Sequence, residues 1–197
     1  MYIIVTMKTY IILDLEATCY DKNSNSETKP RGFVNEIIEI GAYKLNEQGE
    51  VIDEFSKFLK PTKFPYISKF CNELTTITQD DIDNAEEAFF VLGEFFAWAR
   101  KDNEQPTYVS WGFYDKRQFR DDLKLNKFSQ DIIDQFINDN NHISLKHRHG
   151  EINKFKKPIG LGGACKFEKF NFQGTAHRGI DDAKNIVNIF KRYREVL

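Results

Sequence analysis

Ile11-Ile12-Leu13-Asp14-Leu15-Glu16-Ala17-Thr18 (11–18) is the stretch that decides the reading of this chain. From Thr9 to Leu15 the residues form a continuous β-rich apolar run, the pattern of a central strand buried on both faces. Asp14 and Glu16 lie two apart near its end, so they point to the same side. In open α/β sheets ligands bind in the crevice outside the C-terminal ends of the strands, which is where these two carboxylates are delivered. By itself an Asp-x-Glu pair also reads as an ordinary loop-facing pair, and the rest of the chain has to decide.

A polar loop with turn chemistry follows from Tyr20 to Gly32. Ile37 to Leu45 reads as a second strand, Asn46-Glu47-Gln48-Gly49 as a turn, and Val51 to Leu59 as a third strand closed by Pro61. So short a turn makes the second and third strands antiparallel. Thr78 with Asp81, and Asn84 with Glu87, are helix-start signals; Ala88, Val91, Leu92, Phe95 and Ala99 then recur at helical spacing. Thr107 to Trp111 is a short strand ended by Gly112, and Phe119 and Leu123 place a helix from near Asp115. Asp131 to Phe136 reads as a helix, while His142 to Lys157 stays unassigned. Ile180 to Leu197 is an amphipathic helix with Ala183, Ile186, Val187, Phe190 and Leu197 on one side. Three strands followed by alternating helix and strand predict an α/β fold, a mixed sheet with helices on it.

At 197 residues the chain fits one such domain, taken as 1–197 with a core of about 8–195. Its 41% hydrophobic content and 18 Phe predict a packed globule. A net charge of −2 gives no global attraction for a polyanion, so a nucleic-acid site would need a local basic patch and bound metal. Cys19, Cys71 and Cys165 are far apart without a Cys-x-x-Cys pair, which argues against a disulfide framework or a zinc site and for buried thiols in a reducing compartment. Met1 to Thr6 lacks the features of a signal peptide, and no apolar run approaches the ~20 residues of a membrane span. A soluble, cytoplasmic protein is expected, with Met7 an alternative natural start.

Three further acid or base residues lie far from the first pair. Asp115 ends Ser110-Trp111-Gly112-Phe113-Tyr114-Asp115, and His177 and Asp182 bracket His177-Arg178-Gly179-Ile180-Asp181-Asp182. Each has an ordinary reading: Asp115 as a helix N-cap, His177 as a loop histidine, Asp182 as a favourable charge in a helix's first turn. Their joint occurrence is what those readings leave unexplained. Four carboxylates gathered at one sheet edge repel one another unless cations sit among them. Two divalent ions about 3.5 to 4 Å apart would clamp the attacking and leaving oxygens of an in-line phosphodiester displacement. Oxygen-only ligands favour two Mg²⁺, with Mn²⁺ able to substitute. His177, on the loop before the last helix, is placed as a base for the attacking water.

With these motifs in view, the chain resembles the DEDDh-type 3′-5′ exonucleases of the ribonuclease H-like superfamily. Within them it is most similar to the group of the histone-mRNA 3′ exonuclease, the exonucleases that regulate RNA interference, and their bacterial relatives. The resemblance runs from about Tyr10 to Phe190. Asp14 to Cys19 is similar to the first exonuclease motif, Glu36-Ile37-Ile38-Glu39-Ile40-Gly41-Ala42 to the following strand, Ser110 to Asp115 to the second motif, and His177 to Ile186 to the third. It implies a ribonuclease H-like five-stranded mixed sheet, Asp14, Glu16, Asp115 and Asp182 as metal ligands, and His177 as general base. It also implies release of nucleoside 5′-monophosphates from single-stranded RNA or DNA with a free 3′ end, with RNA favoured by analogy. Leu74-Thr75-Thr76-Ile77 departs from the family's usual Leu-Thr-Gly-Ile, where glycine permits a close approach or positive φ.

For the substrate, Ala17 and Thr18 are placed to offer backbone groups to the terminal sugar, Leu74 resembles the family's wedge against the terminal base, and Trp111 or Tyr114 offers a stacking surface. Core packing is an equal alternative for Leu74 and Trp111, and Tyr114 is expected to be the more exposed aromatic. Lys146, Arg148, Lys154, Lys156 and Lys157 form the dense basic stretch, either a track for upstream phosphates or a solvated face. Rival readings are a polymerase-associated proofreading subunit and a nucleic-acid-binding module without catalysis. Because the chain runs from the catalytic strand to its last helix, no accessory RNA-binding domain is expected.

Overall fold

Strand β1 (Tyr10–Ala17) sits in the middle of a sheet whose other members are β2 (Ile37–Leu45), β3 (Val51–Phe58), β4 (Thr107–Ser110) and β5 (His142–Ser144). The computed structural model describes residues 8–21, 27–102 and 105–197. Met7 and residues 22–26 of the polar loop therefore lie outside the described residues. The order is β3-β2-β1-β4-β5. β1 runs antiparallel to β2 and parallel to β4, β2 runs antiparallel to β3, and β4 runs parallel to β5. This is the mixed five-stranded α/β sheet expected from the sequence.

The two faces of β1 are divided by residue parity, as the pleat requires. Ile11, Leu13 and Leu15 point into one core layer, built with α3 (Ala88–Arg100), α4 (Tyr114–Leu125) and α5 (Gln130–Phe136). Tyr10 and Ile12 point into the opposite layer, shared with α6 (Leu145–Ile152), α7 (Leu161–Phe167) and α8 (Gly179–Tyr193). Asp14 and Glu16 continue the even row, so they emerge on the α8 side just where that helix's apolar stripe stops. The strand reaches two residues beyond Leu15, and its pairing with β2 shifts between Glu16 and Ala17.

α8 lies so close to the sheet that backbone meets backbone. A Cβ on Gly41 of β2 would stand 2.0 Å from the Gly179 carbonyl carbon and the Ile180 nitrogen, and one on Gly179 would stand 3.0 Å from Gly41 N. At Gly41 no side chain fits, and at Gly179 one would press on backbone that has to give; this close approach carries Asp182 to the end of β1.

Several elements differ from expectation. Thr78 does cap a helix, through a full capping box with Asp81, but the helix is the short α2 (Gln79–Asp83). Asn84 ends that helix instead of starting the next, which begins after Glu87 without a side-chain cap. A further helix, α1 (Lys69–Thr75), capped by Ser68, and the helix α7 form where the sequence pattern predicts no element. Asp115 is not an N-cap: it lies in the first turn of α4, with Phe113 at the cap position. The unassigned segment folds as β5 followed by α6. Among the described residues no helix is long and apolar enough to cross a membrane.

Gly41→Ala should force α8 off the sheet and lower stability by at least about 2–3 kcal/mol in chemical denaturation. Gly162→Ala, whose Cβ meets nothing within 4 Å, should be neutral or gain up to about 1 kcal/mol in its helix.

Candidate active site

Four segments assemble the acid cluster: Asp14 and Glu16 from β1, Asp115 from the first turn of α4, Asp182 from the first turn of α8, and His177 from the loop before it. Glu16, His177 and Asp182 each offer a ligand atom within 4.8 Å of the others. Asp14 and Asp115 join this group electrostatically. Burial drives the Asp14 carboxyl well above its ordinary range, and the charges of Asp115, Asp182, Glu16 and Glu39 push it further. Glu16 is raised to about 8, by burial first and then by Asp182 and Glu39. Asp115 is raised to about 6 by burial, opposed by hydrogen bonds from the Ser110 hydroxyl, its own N–H and the Leu15 N–H. Asp182 also rises to about 6 through burial, opposed by the His177 N–H, which donates to Oδ2 at 3.3 Å. All five residues named from the sequence thus meet in one place.

The donor set fits a hard divalent cation. Asp182 Oδ1 is buried with no hydrogen-bond partner among the described residues, an expensive state that a cation would relieve. Carboxylate oxygens are what Mg²⁺ and Mn²⁺ prefer.

A fifth carboxylate supports the others. Glu39, 1% exposed in β2, accepts hydrogen bonds from Arg178 Nε at 3.2 Å and Nη2 at 3.0 Å, and from the Gly179 N–H at 2.9 Å. This pairing fixes the turn between His177 and α8. In the sequence Glu39 stands only as part of the strand that follows the first motif, although an acid between Ile38 and Ile40 in a strand buried on both faces requires a cationic partner. His177 itself is exposed, with φ of 63°. A groove of about 600 Å³ opens from His177 and Asp182 along α7, past Gly162, Lys166 and Phe170. The basic stretch at 146–157 does not line it, and Arg148 there pairs with Glu151 at 2.7 Å.

Residues 11–190 match the Exonuclease (RNase_T) family. The chain belongs to the exonuclease family. It is 29% identical to ERI1 exoribonuclease 2 of Mus musculus over 89% of its own length, but spans only 27% of that protein. It is also 29% identical to a probable 3′-5′ exonuclease KapD of Bacillus subtilis, covering 95% of this chain and 85% of that one. Among solved structures it is similar to the nuclease domain of 3′hExo, a DEDDh family member bound to rAMP. The TM-score there is 0.81 and the identity 26%, over 98% of this chain and 94% of the other. The sheet is accordingly of the ribonuclease H-like exonuclease kind.

The remaining candidates for substrate contact differ in exposure and in what already holds them. Ala17 ends β1, and its carbonyl oxygen lies 3.6 Å from Cys71 Sγ. Thr18 is buried; its N–H goes to Glu36 O at 2.8 Å and its hydroxyl accepts from the Glu36 N–H, so its backbone donor is committed inside the fold. Leu74 is 36% exposed on α1. Trp111 packs in the α8-side core and donates Nε1–H to Ile159 O at 3.3 Å, whereas Tyr114 is 42% exposed and accepts from Asn35. Tyr114 is therefore the more exposed of these two aromatics, as expected. Thr76 ends α1 with φ 63° and ψ 3°, the left-handed conformation that glycine adopts without strain.

Two outcomes follow. Thr76→Gly should raise stability by about 1 kcal/mol, because a β-branched residue at positive φ is strained; thermal denaturation reads it, and a lower Tm would contradict it. The raised acids bind more protons folded than unfolded. In EDTA their contribution to stability is therefore fullest at acid pH and is lost as pH climbs from the ordinary carboxylate range through about 6 and on to about 8. Glu16→Gln should flatten this decline in a pH series of melting curves; an unchanged slope would remove the coupling.

Proposed function

We propose that this chain is a metal-dependent 3′-5′ exonuclease that removes nucleoside 5′-monophosphates from the free 3′ end of single-stranded nucleic acid, with RNA preferred, and that it acts as a single domain. The observation that carries this reading is the meeting of Asp14, Glu16, Asp115 and Asp182 around His177, with a buried carboxylate oxygen of Asp182 left without a donor among the described residues. Support for RNA comes from the relatives, one named an exoribonuclease and one solved with rAMP.

Asp14, Glu16, Asp115 and Asp182 would hold two divalent ions, Mg²⁺ or Mn²⁺, which when bound supply Lewis-acid polarisation of the phosphoryl group and neutralise its developing charge. The chain's own residues do the rest. The exposed His177 ring takes the proton of the attacking water at a ring nitrogen. Its backbone is tethered by the N–H to Asp182, and its neighbour Arg178 is clamped on Glu39, so the ring swings from a fixed point. Leu74 and Tyr114 present half-exposed apolar surface on which the terminal base can rest.

The test is a 5′-labelled single strand, as matched RNA and DNA, incubated with Mg²⁺. A ladder shortening from the 3′ end is expected, faster on RNA and absent with EDTA or in Asp14→Ala. His177→Ala should lower kcat by about 10²- to 10⁴-fold while retaining nucleic-acid binding. Binding without shortening, or shortening that survives EDTA, would contradict the proposal.

A further inference from the structure

The proposed chemistry occupies only the mouth of the groove of about 600 Å³ that runs from His177 and Asp182 along α7. Apart from Asp182 its walls carry no carboxylate, and beyond the mouth they carry one cation, Lys166. In a chain whose net charge is −2, walls this free of acid let a phosphate chain approach without repulsion. The hollow beside α2, by contrast, is lined by Asp80, Asp81 and Glu86.

Two features of α7 keep the groove open and charged. Lys166 is exposed, and among the described residues its ammonium makes no ion pair or hydrogen bond. Gly162 lies four residues before it, on the same helix face. A Cβ on Gly162 would meet nothing within 4 Å, so close packing does not require glycine there and its lack of a side chain leaves width to the groove. Phe170 and Phe172, half-buried against the α8-side core, offer apolar edges along the wall.

The direction of the strand follows from what lies on either side of the acids. The terminal base is assigned above to Leu74 on α1 and Tyr114 on α4, neither of which lines the groove, and α4 packs on the opposite face of the sheet from α7. A scissile phosphate held at the acids has the terminal nucleoside on one side and the rest of the strand on the other. We infer that the groove along α7 carries the single strand on the 5′ side of the scissile phosphate, with Lys166 against an upstream phosphate and Phe170 and Phe172 against a base. The inference rests on the exonuclease reading proposed above. It moves the upstream track away from the basic stretch at 146–157, which does not line the groove.

Strand length tests it. A dinucleotide has no phosphate upstream of the scissile one and so cannot use Lys166, whereas a dodecanucleotide can. With Mg²⁺, kcat/KM of the wild-type protein should be higher for the dodecanucleotide, and this advantage should shrink by about 2- to 5-fold in Lys166→Ala, the range for one exposed ion pair. The plot of log kcat/KM for the longer strand against log salt should flatten by about 0.7, the single-strand value for one phosphate contact; Lys166→Arg, which keeps the charge, should restore both. Gly162→Gln, which fills the groove from a position where a Cβ meets nothing, should remove most of the length advantage. A wild-type protein without that advantage, or variants that leave it intact or slow both strands by the same factor, would overturn the inference while the exonuclease reading stands. A wild-type protein that shortens neither strand would remove that reading, and the role of the groove with it.

Discussion

Burying four carboxylates beside one another, with the repulsion this adds, is the cost that the rest of this molecule is arranged to withstand. Asp14, Glu16, Asp115 and Asp182 all hold their protons more tightly than free acids do, with burial the first cause in each case. A flexible pocket would relieve such crowding by letting the acids drift into water. This one is built from a strand buried on both faces and two helix starts, none of which can shift without opening core. The order of the sheet follows from the same need, since placing β1 centrally, parallel to β4, puts the ends of both strands beside the first turn of α4.

What holds α8 against that repulsion is close packing. Buried Ile186, Val187, Ile189 and Phe190 anchor its far end in the core, and the Gly41–Gly179 approach lets its first turn descend onto β2. Glu39 then serves the cluster from outside. Its charge raises the neighbouring acids, yet it is consumed by Arg178 and the Gly179 N–H, and that pairing fixes the loop that bears His177. One buried ion pair thus orients the base and seats the helix together. At Asp115, the Ser110 hydroxyl at the end of β4 and the Leu15 N–H of β1 oppose the rise that burial causes.

Much of this could be read from the letters because buried strands announce themselves. The apolar run before Asp14, the hairpin between Ile37 and Leu59, and the stripe from Ala183 to Phe190 are each long enough for periodicity to decide. Shorter pieces resisted. α1 and α7 have seven residues each, the latter with two adjacent glycines, so neither shows a helical pattern of its own. β5 is three residues long and starts on a histidine, which reads as polar loop until the parallel pairing with β4 is known. Asn84 looked like a helix start because Asn serves both ends of helices. The site was legible residue by residue where an acid interrupted an apolar run. Its support, Glu39 with Arg178, depends on a contact between segments distant in sequence, which spacing along one chain does not encode. The Thr at position 76 was visible as a departure, and the structure adds its meaning: the position needs positive φ, so side-chain strain stands where glycine would be free of it.

The central claim is that these acids are gathered to hold a pair of divalent cations. A crystal of the protein equilibrated with Mn²⁺ and measured for anomalous scattering tests it most directly. The account predicts two peaks about 3.5 to 4 Å apart, coordinated by Asp14, Glu16, Asp115 and Asp182 with one peak against Asp182 Oδ1. Manganese bound elsewhere, or none between these carboxylates, would contradict it.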